Sequence, residues 1–210
     1  MFYYALRFLS FLIFKIFFAY SVTGKENVPR DGAYILASNH ASYLDPVALG
    51  SAVPHKLCYL ARENLFTMPV LSFMLPRINA FPLKREGGDV KALRDSVKRL
   101  KEGKRVIIFP EGTRTRDGNI GEAKWGIGFL AAKSQAPIIP ACIIGSDKAL
   151  PRGGRLIRPH KISIHLGRPI MPEDFSRYEG KERYLNISRA VMDAIRALHR
   201  EYSQDGDKDS

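Results

Sequence analysis

"AYILASNHASYLDPVALGSA", residues 33–52, changes periodicity twice in twenty positions. It begins as a β-rich apolar run, "AYILAS", passes through a polar turn, and resumes at Asp45–Pro46 as a helical pattern over 46–52. Asp followed by Pro is a good helix start, an N-cap followed by a residue whose φ is preset for the first turn. On that reading Asp45 caps its own helix and His40 is a polar residue in a β-to-α turn. A second reading uses the same turn. On a continuous helix a five-residue step would set His40 and Asp45 about 140° apart. A strand ending near His40 and a helix beginning at Asp45 instead allow the carboxylate to fold back onto the imidazole.

The same alternation runs outward from this segment. β-rich runs follow at "KLCYLA", "INAFPL", "RVIIFP", "PIIPACIIG" and "KISIHLG", with helical patterns over 69–75, 88–102, 122–134 and 181–202. In the last of these Leu185, Ile187, Val191, Ile195 and Leu198 form an apolar stripe suited to packing on a sheet. The pattern predicts an α/β fold: one layered domain with a mixed, mostly parallel sheet covered by helices. The expected organisation is an N-terminal membrane-associated helical segment at 1–24, the main domain at 25–203 and a disordered tail at 204–210.

Charge narrows the partners. Lys and Arg number 33 against 21 Asp and Glu, a formal net charge of +12, which favours a polyanionic partner. The basic residues form no aromatic-and-basic stripe, and this argues against nucleic acid. A Walker phosphate loop and a GxSxG nucleophile elbow are both missing, and "GIGFLA" follows a helical pattern where a dinucleotide fingerprint needs a strand. Cys58 and Cys142 sit in apolar runs and read as buried free thiols; no Cys/His spacing suits zinc.

The N-terminus is the most apolar stretch, "FYYALRFLSFLIFKIFFAYSV", interrupted by Arg7 and Lys15. Arg7, Ser10 and Lys15 share one sector of a helix, as expected for a helix lying in a headgroup layer with its cations snorkelling. A tilted span, and a buried helix or signal, are the other readings.

"RVIIFPEGTRT" runs a buried strand straight into Glu111, Gly112, Thr113 and Arg114. Gly112 allows close backbone approach, and Arg114 can fork onto a phosphate or carboxylate. "INAFPLKRE" delivers Lys84 and Arg85 to another strand end, and open α/β sheets bind ligands at such ends.

With these blocks in hand, the chain resembles the 1-acylglycerol-3-phosphate acyltransferases of glycerolipid synthesis. Asn39, His40 and Asp45 match the family's Asn-His-x4-Asp, and Phe109 to Arg114 match its Phe-Pro-Glu-Gly-Thr-Arg in full. "INAFPLKR" with Arg85 matches the second block more loosely, Asn79 and Lys84 standing where Gly and Asp are usual. "APIIPACIIG" with Pro140 resembles the fourth, and Lys124 and Gly126 follow the third as in the family. The likeness covers about residues 25–169.

The resemblance implies transfer of a fatty acyl group from acyl-CoA or acyl-carrier protein to the sn-2 hydroxyl of lysophosphatidic acid, giving phosphatidic acid. His40 is then the general base and Asp45 its orienting carboxylate. Asn39, Arg85, Glu111, Gly112, Thr113 and Arg114 form the substrate-binding set, Glu111 placing the glycerol or the Arg114 side chain. Neither a metal nor a cofactor is expected beyond the thioester co-substrate. The partners implied are a membrane surface and its lipids, with the active site facing the cytoplasm. Another acceptor (glycerol 3-phosphate, a different lysophospholipid or an amino-lipid) and a non-catalytic lipid-binding protein are the alternatives.

Overall fold

The computed structural model describes residues 1–83, 90–115, 118–154 and 156–203. The expected tail at 204–210, and Lys84 and Arg85, lie outside the described residues. In chain order the elements are α1 (Phe2–Phe18), β1 (Ser21–Thr23), β2 (Ile35–Ser38), α2 (Asp45–Ala52), β3 (Leu57–Arg62), α3 (Pro69–Arg77) and β4 (Ala80–Leu83). There follow α4 (Val90–Lys101), β5 (Arg105–Ile108), α5 (Gly126–Ser134), β6 (Ile138–Ile144), α6 (Ser146–Ala149), β7 (Ser163–Leu166) and α7 (Arg183–Ser203).

These strands form one seven-stranded sheet in the order β1-β7-β6-β2-β5-β3-β4. Neighbours are parallel throughout except β6 and β7. The fold class expected from the sequence is therefore the one observed. The central strand β2 is buried along its whole length, as required of a parallel strand with helices on both faces. One apolar core joins α1 and α2 to one face, through Phe14, Phe18, Leu36, Leu49 and Ile139. The other joins α4, α5 and α7 to the opposite face, through Ile35, Leu93, Ile127, Leu130, Val191 and Ile195.

Register decides where the chemistry sits. Ala37 of β2 lies abreast of Ile108 of β5, and Ser38 lies abreast of Ala141 of β6. His40 and Phe109 therefore leave the sheet side by side at its carboxyl end.

One expectation about the N-terminal region is corrected. The segment at 1–24 packs on the main domain: Phe14, Phe18 and Tyr20 belong to the core shared with α2, and Tyr20 donates to Ala48 O at 2.7 Å. Arg7 does not snorkel toward a headgroup layer. Its Nε donates to Val53 O at 2.7 Å and its Nη2 to Ser51 O at 3.3 Å, so the cation meets carbonyls at the C-terminal end of α2. Turning Arg7 inward leaves Phe8, Leu9, Leu12, Ile13, Ile16 and Phe17 exposed on α1. Among the described residues no helix is long and apolar enough to cross a membrane.

The thiols Cys58 and Cys142 are buried and unpaired, as expected; burial pushes Cys58 up and Cys142 up to about 12, so neither is a nucleophile.

α5 and α7 approach so closely that only glycine fits at 128. A Cβ there would lie 1.8 Å from Tyr184 O, and Gly128 N donates to Ser188 Oγ at 3.1 Å. Gly128→Ala should push the two helices apart and cost about 1–3 kcal/mol. A lowered denaturant midpoint at unchanged m would show it; an unchanged midpoint would mean that the contact is slack.

Candidate active site

The turn from β2 to α2 does fold back. His40 Nδ1 and Asp45 Oδ2 are 2.8 Å apart, and Asp45 Oδ2 also accepts from Ala41 N at 2.7 Å and Ser42 N at 2.8 Å. Asp45 is the first residue of α2, yet its carboxylate points away from the helix and makes no helix cap. The N-cap reading of Asp45 is thus corrected: the backbone N–H groups of the preceding turn, together with the imidazole, take the acceptor. A carboxylate only accepts, so Nδ1 carries the hydrogen, and the neutral ring keeps its lone pair on Nε2.

Asp45 is completely buried, and the His40 side chain is 17% exposed. A buried charge needs this density of donors. The His40 ring stacks on Phe109, with centroids 4.0 Å apart and planes 18° apart, which fixes the imidazole on its second side. Ser42 Oγ donates to Leu150 O at 2.8 Å and holds the far side of the turn.

The "FPEGTRT" loop closes on the backbone of His40 from both directions. Glu111 Oε1 accepts from His40 N at 2.9 Å, Thr115 N donates to His40 O at 2.8 Å, and Glu111 Oε2 accepts from Gly121 N at 3.1 Å. Burial pushes the Glu111 carboxyl up, and the two backbone N–H bonds oppose that rise. Glu111 was expected to touch the glycerol or Arg114. The structure instead sets both of its oxygens on backbone amides, making it a positioning residue that ties one block to the other.

Asn39 is corrected in the same way. Expected to touch substrate, it is buried and pairs with one residue of β6: Nδ2 donates to Ile143 O and Oδ1 accepts from Ile143 N, both at 2.9 Å. It anchors the end of β2 to β6.

Gly112, at φ +69, makes the turn that sends the loop back over Lys124, whose side chain a Cβ would meet at 3.1 Å. Thr113 is exposed. The Arg114 guanidinium lies 3.4 Å from the centre of the Tyr43 ring, and its Nη1 is buried without a hydrogen-bond partner among the described residues. Such a cation, desolvated and short of an acceptor, is suited to an anionic ligand. It faces a cavity of about 450 Å³ that Glu111, Thr115, Gly121, Glu122 and Arg152 also line.

The structure therefore brings His40, Asp45, Glu111, Gly112, Thr113 and Arg114 together at one end of the sheet. Arg85 lies outside the described residues. Sequence reasoning gave no role to Phe109, Tyr43, Ser42 or Arg152. Phe109 and Tyr43 lie inside the two matched blocks, so their aromatic character was the available signal. Nothing local announces Arg152, whose Nη1 bonds to Arg114 O across 38 residues of chain.

Comparison with known proteins adds a separate line. Residues 19–144 match a family model described as Acyltransferase. The chain is 32% identical over 184 residues to a 1-acyl-sn-glycerol-3-phosphate acyltransferase of Bacillus subtilis (strain 168), covering 87% of this chain and 89% of that protein. It is also 32% identical over 158 residues to the chloroplastic 1-acyl-sn-glycerol-3-phosphate acyltransferase BAT2 of Brassica napus, covering 73% of this chain and 46% of that one. Among solved structures, the crystal structure of the 1-acyl-sn-glycerophosphate (LPA) acyltransferase PlsC from Thermotoga maritima superposes with a TM-score of 0.81 at 26% identity. That superposition covers 95% of this chain and 79% of the other.

Glu111→Ala would leave the His40 and Gly121 amides without their acceptor, a loss of about 1–3 kcal/mol for each one still buried. Glu111→Gln can accept only one of the two and turns an NH₂ toward the other. Both variants should lose stability and lower kcat, by about 10²-fold if His40 shifts by an ångström, with little change in the acceptor Kd. A KM defect at wild-type kcat would mean that Glu111 binds substrate after all.

Proposed function

The chain belongs to the acyltransferase family, that of the 1-acyl-sn-glycerol-3-phosphate acyltransferases, and from that premise we propose that it esterifies the sn-2 hydroxyl of lysophosphatidic acid to give phosphatidic acid. The observation that carries the chemistry is the 2.8 Å contact between His40 Nδ1 and a fully buried Asp45, beside an arginine with an unused donor.

An alcohol is a weak nucleophile near neutral pH and needs a base as it attacks. Nε2 of His40 takes the hydroxyl proton while the oxygen bonds to the thioester carbonyl carbon. Asp45 stabilises the imidazolium that results. The tetrahedral intermediate collapses by breaking the carbon–sulfur bond. The thiolate leaves readily, since a thiol pKa is about 8.5, and then receives the proton from Nε2. The acceptor oxygen is itself the nucleophile, so no acyl-enzyme forms. The chemistry suits acyl-CoA and acyl-carrier protein alike, both being thioesters, and requires no cofactor besides this co-substrate.

Arg114 holds the acceptor phosphate, with Arg85 as the second cation of the set. Both substrates carry acyl chains, and the exposed Phe8, Leu12, Ile16 and Phe17 of α1 are suited to a bilayer surface. On this reading the protein is membrane-associated and works from the cytoplasmic side, where the thioesters are made. Removing residues 1–22 would then also remove core residues Phe14, Phe18 and Tyr20, so point changes on the exposed row of α1 are the cleaner test of membrane binding.

His40→Ala should lower kcat by about 10²–10⁴-fold while the acceptor Kd stays near wild type. Asp45→Asn can keep the turn, its amide oxygen replacing Oδ2, but no longer offers a charge to the imidazolium; its rate should fall without a matching loss in Tm. Wild-type turnover in either variant would exclude the pair as the base.

Arg114→Ala should raise the acceptor KM, and Arg114→Lys should rescue poorly, because an ammonium neither forks nor stacks on Tyr43 as a guanidinium does. A panel of lysophosphatidic acid, glycerol 3-phosphate and other lysolipids, with labelled acyl-CoA and acyl-carrier protein, identifies the substrates. Efficient use of glycerol 3-phosphate in preference to lysophosphatidic acid would overturn the acceptor assignment.

A further inference from the structure

Because β7 runs antiparallel to β6, the chain between them crosses the carboxyl end of the sheet, where the active site lies. The sequence of this crossing, "KALPRGGRLIRPHK" at 148–161, holds Lys148, Arg152, Arg155, Arg158 and Lys161 and no acidic residue. At its outer part Leu156 and Ile157 are adjacent, 77% and 58% exposed, with Arg158 exposed beside them. Its inner part is pinned to the site. Leu150 O accepts from Ser42 Oγ at 2.8 Å, Ala149 O accepts from Arg158 N at 2.8 Å, and Arg152 bonds to Arg114 O. At its end Ile162 N donates to Phe18 O at 2.9 Å, next to Phe17 and Ile16, both exposed on α1.

We propose that this loop is a membrane-inserting element, which places Leu156 and Ile157 below the headgroups of an anionic bilayer and Arg152, Arg158 and Lys161 among their phosphates. The proposal rests on the reading of a membrane-resident acceptor given above and adds a second contact surface to it. Isolated exposed apolar side chains are ordinary. Here, however, two large ones are adjacent, the charge within the loop is of one sign, and the residue that follows the loop, Ile162, is hydrogen-bonded to the C-terminal end of α1. A single apolar anchor gives only marginal membrane binding, and a second signal together with cations makes it stable. Insertion brings the cavity to headgroup depth, since Arg152 both lines it and touches Arg114. A lysolipid can then offer its phosphate and hydroxyl to the site while its acyl chain stays in the bilayer.

The test uses full-length protein carrying a single new cysteine, Ile157→Cys or Ile16→Cys, labelled with an environment-sensitive fluorophore; Cys58 and Cys142 are buried and free to remain. Vesicles are phosphatidylcholine alone or mixed equally with phosphatidylglycerol. A blue shift at both positions, stronger on the anionic vesicles, is expected. In parallel Leu156→Ser/Ile157→Ser should weaken binding to anionic vesicles by about tenfold and lower turnover of long-chain lysolipid, while a short-chain soluble acceptor is used as before. A shift at 16 without one at 157 overturns the loop proposal and leaves the membrane reading standing. A shift at neither overturns both, and a shift at 157 alone supports the loop and removes α1 from the contact. Unchanged vesicle affinity in the double serine variant, with a raised KM for the acyl donor, would make the loop a donor-docking element and overturn the proposal.

Discussion

Burying the Asp45 carboxylate is the constraint from which the site follows. A carboxylate with no exposure must collect hydrogen bonds or lose its charge. Three donors converge on Oδ2, and Oδ1 is buried without a partner among the described residues. This lopsided arrangement dictates the shape of the turn, because Ala41 N and Ser42 N reach one oxygen only if the chain curls around it. The curl in turn fixes where His40 sits. Catalytic geometry and the folding of this turn are thus the same set of contacts.

A second carboxylate repeats the logic one layer out. Glu111 satisfies the amides of His40 and Gly121 and so welds the loop after β5 to the turn after β2. Thr115 N, bonded to His40 O, completes the clamp. Parallel register puts the two strand ends abreast, and the clamp turns that proximity into a fixed distance. Phe109 fills the remaining side of the imidazole with an aromatic face, which restricts rotation without competing for either ring nitrogen.

Much of this was legible in the chain, and what was not shares one cause. The α/β alternation, the fold-back of Asp45 onto His40 and the burial of both thiols follow from local pattern and short-range geometry. The partners of Asn39, Glu111 and Arg7 lie 104, 71 and 46 positions away, and no local pattern names them. Asn39 and Glu111 look like ligand-facing polar residues in a motif, yet both spend their polar atoms on distant backbone. For Arg7 the helical period identified the right sector, but only the position of α2 decides that this sector faces protein. β1 left no trace in the pattern: Ser21–Thr23 is three residues long and is an edge strand through its pairing with β7.

The inward turn of Arg7 also changes the meaning of the surface above it. With the cation satisfied by Val53 and Ser51, α1 carries Phe8, Leu12 and Ile16 as an exposed apolar row beside the exposed Lys15. A helix with that face, held rigidly by Phe14 and Phe18 in the core, cannot choose its own depth in a bilayer; the sheet domain chooses it. From α1 a short path of buried contacts leads to the base: Phe14 and Phe18 pack in the core shared with α2, Tyr20 donates to Ala48 O, and α2 begins at Asp45. Each link is backbone or a buried side chain, so the surface suited to lipid and the residue suited to take a proton belong to one stiff unit. On the proposed reading of a membrane-held acceptor that stiffness has a use, since the hydroxyl is held at a depth set by its own acyl chain and the base must meet it there.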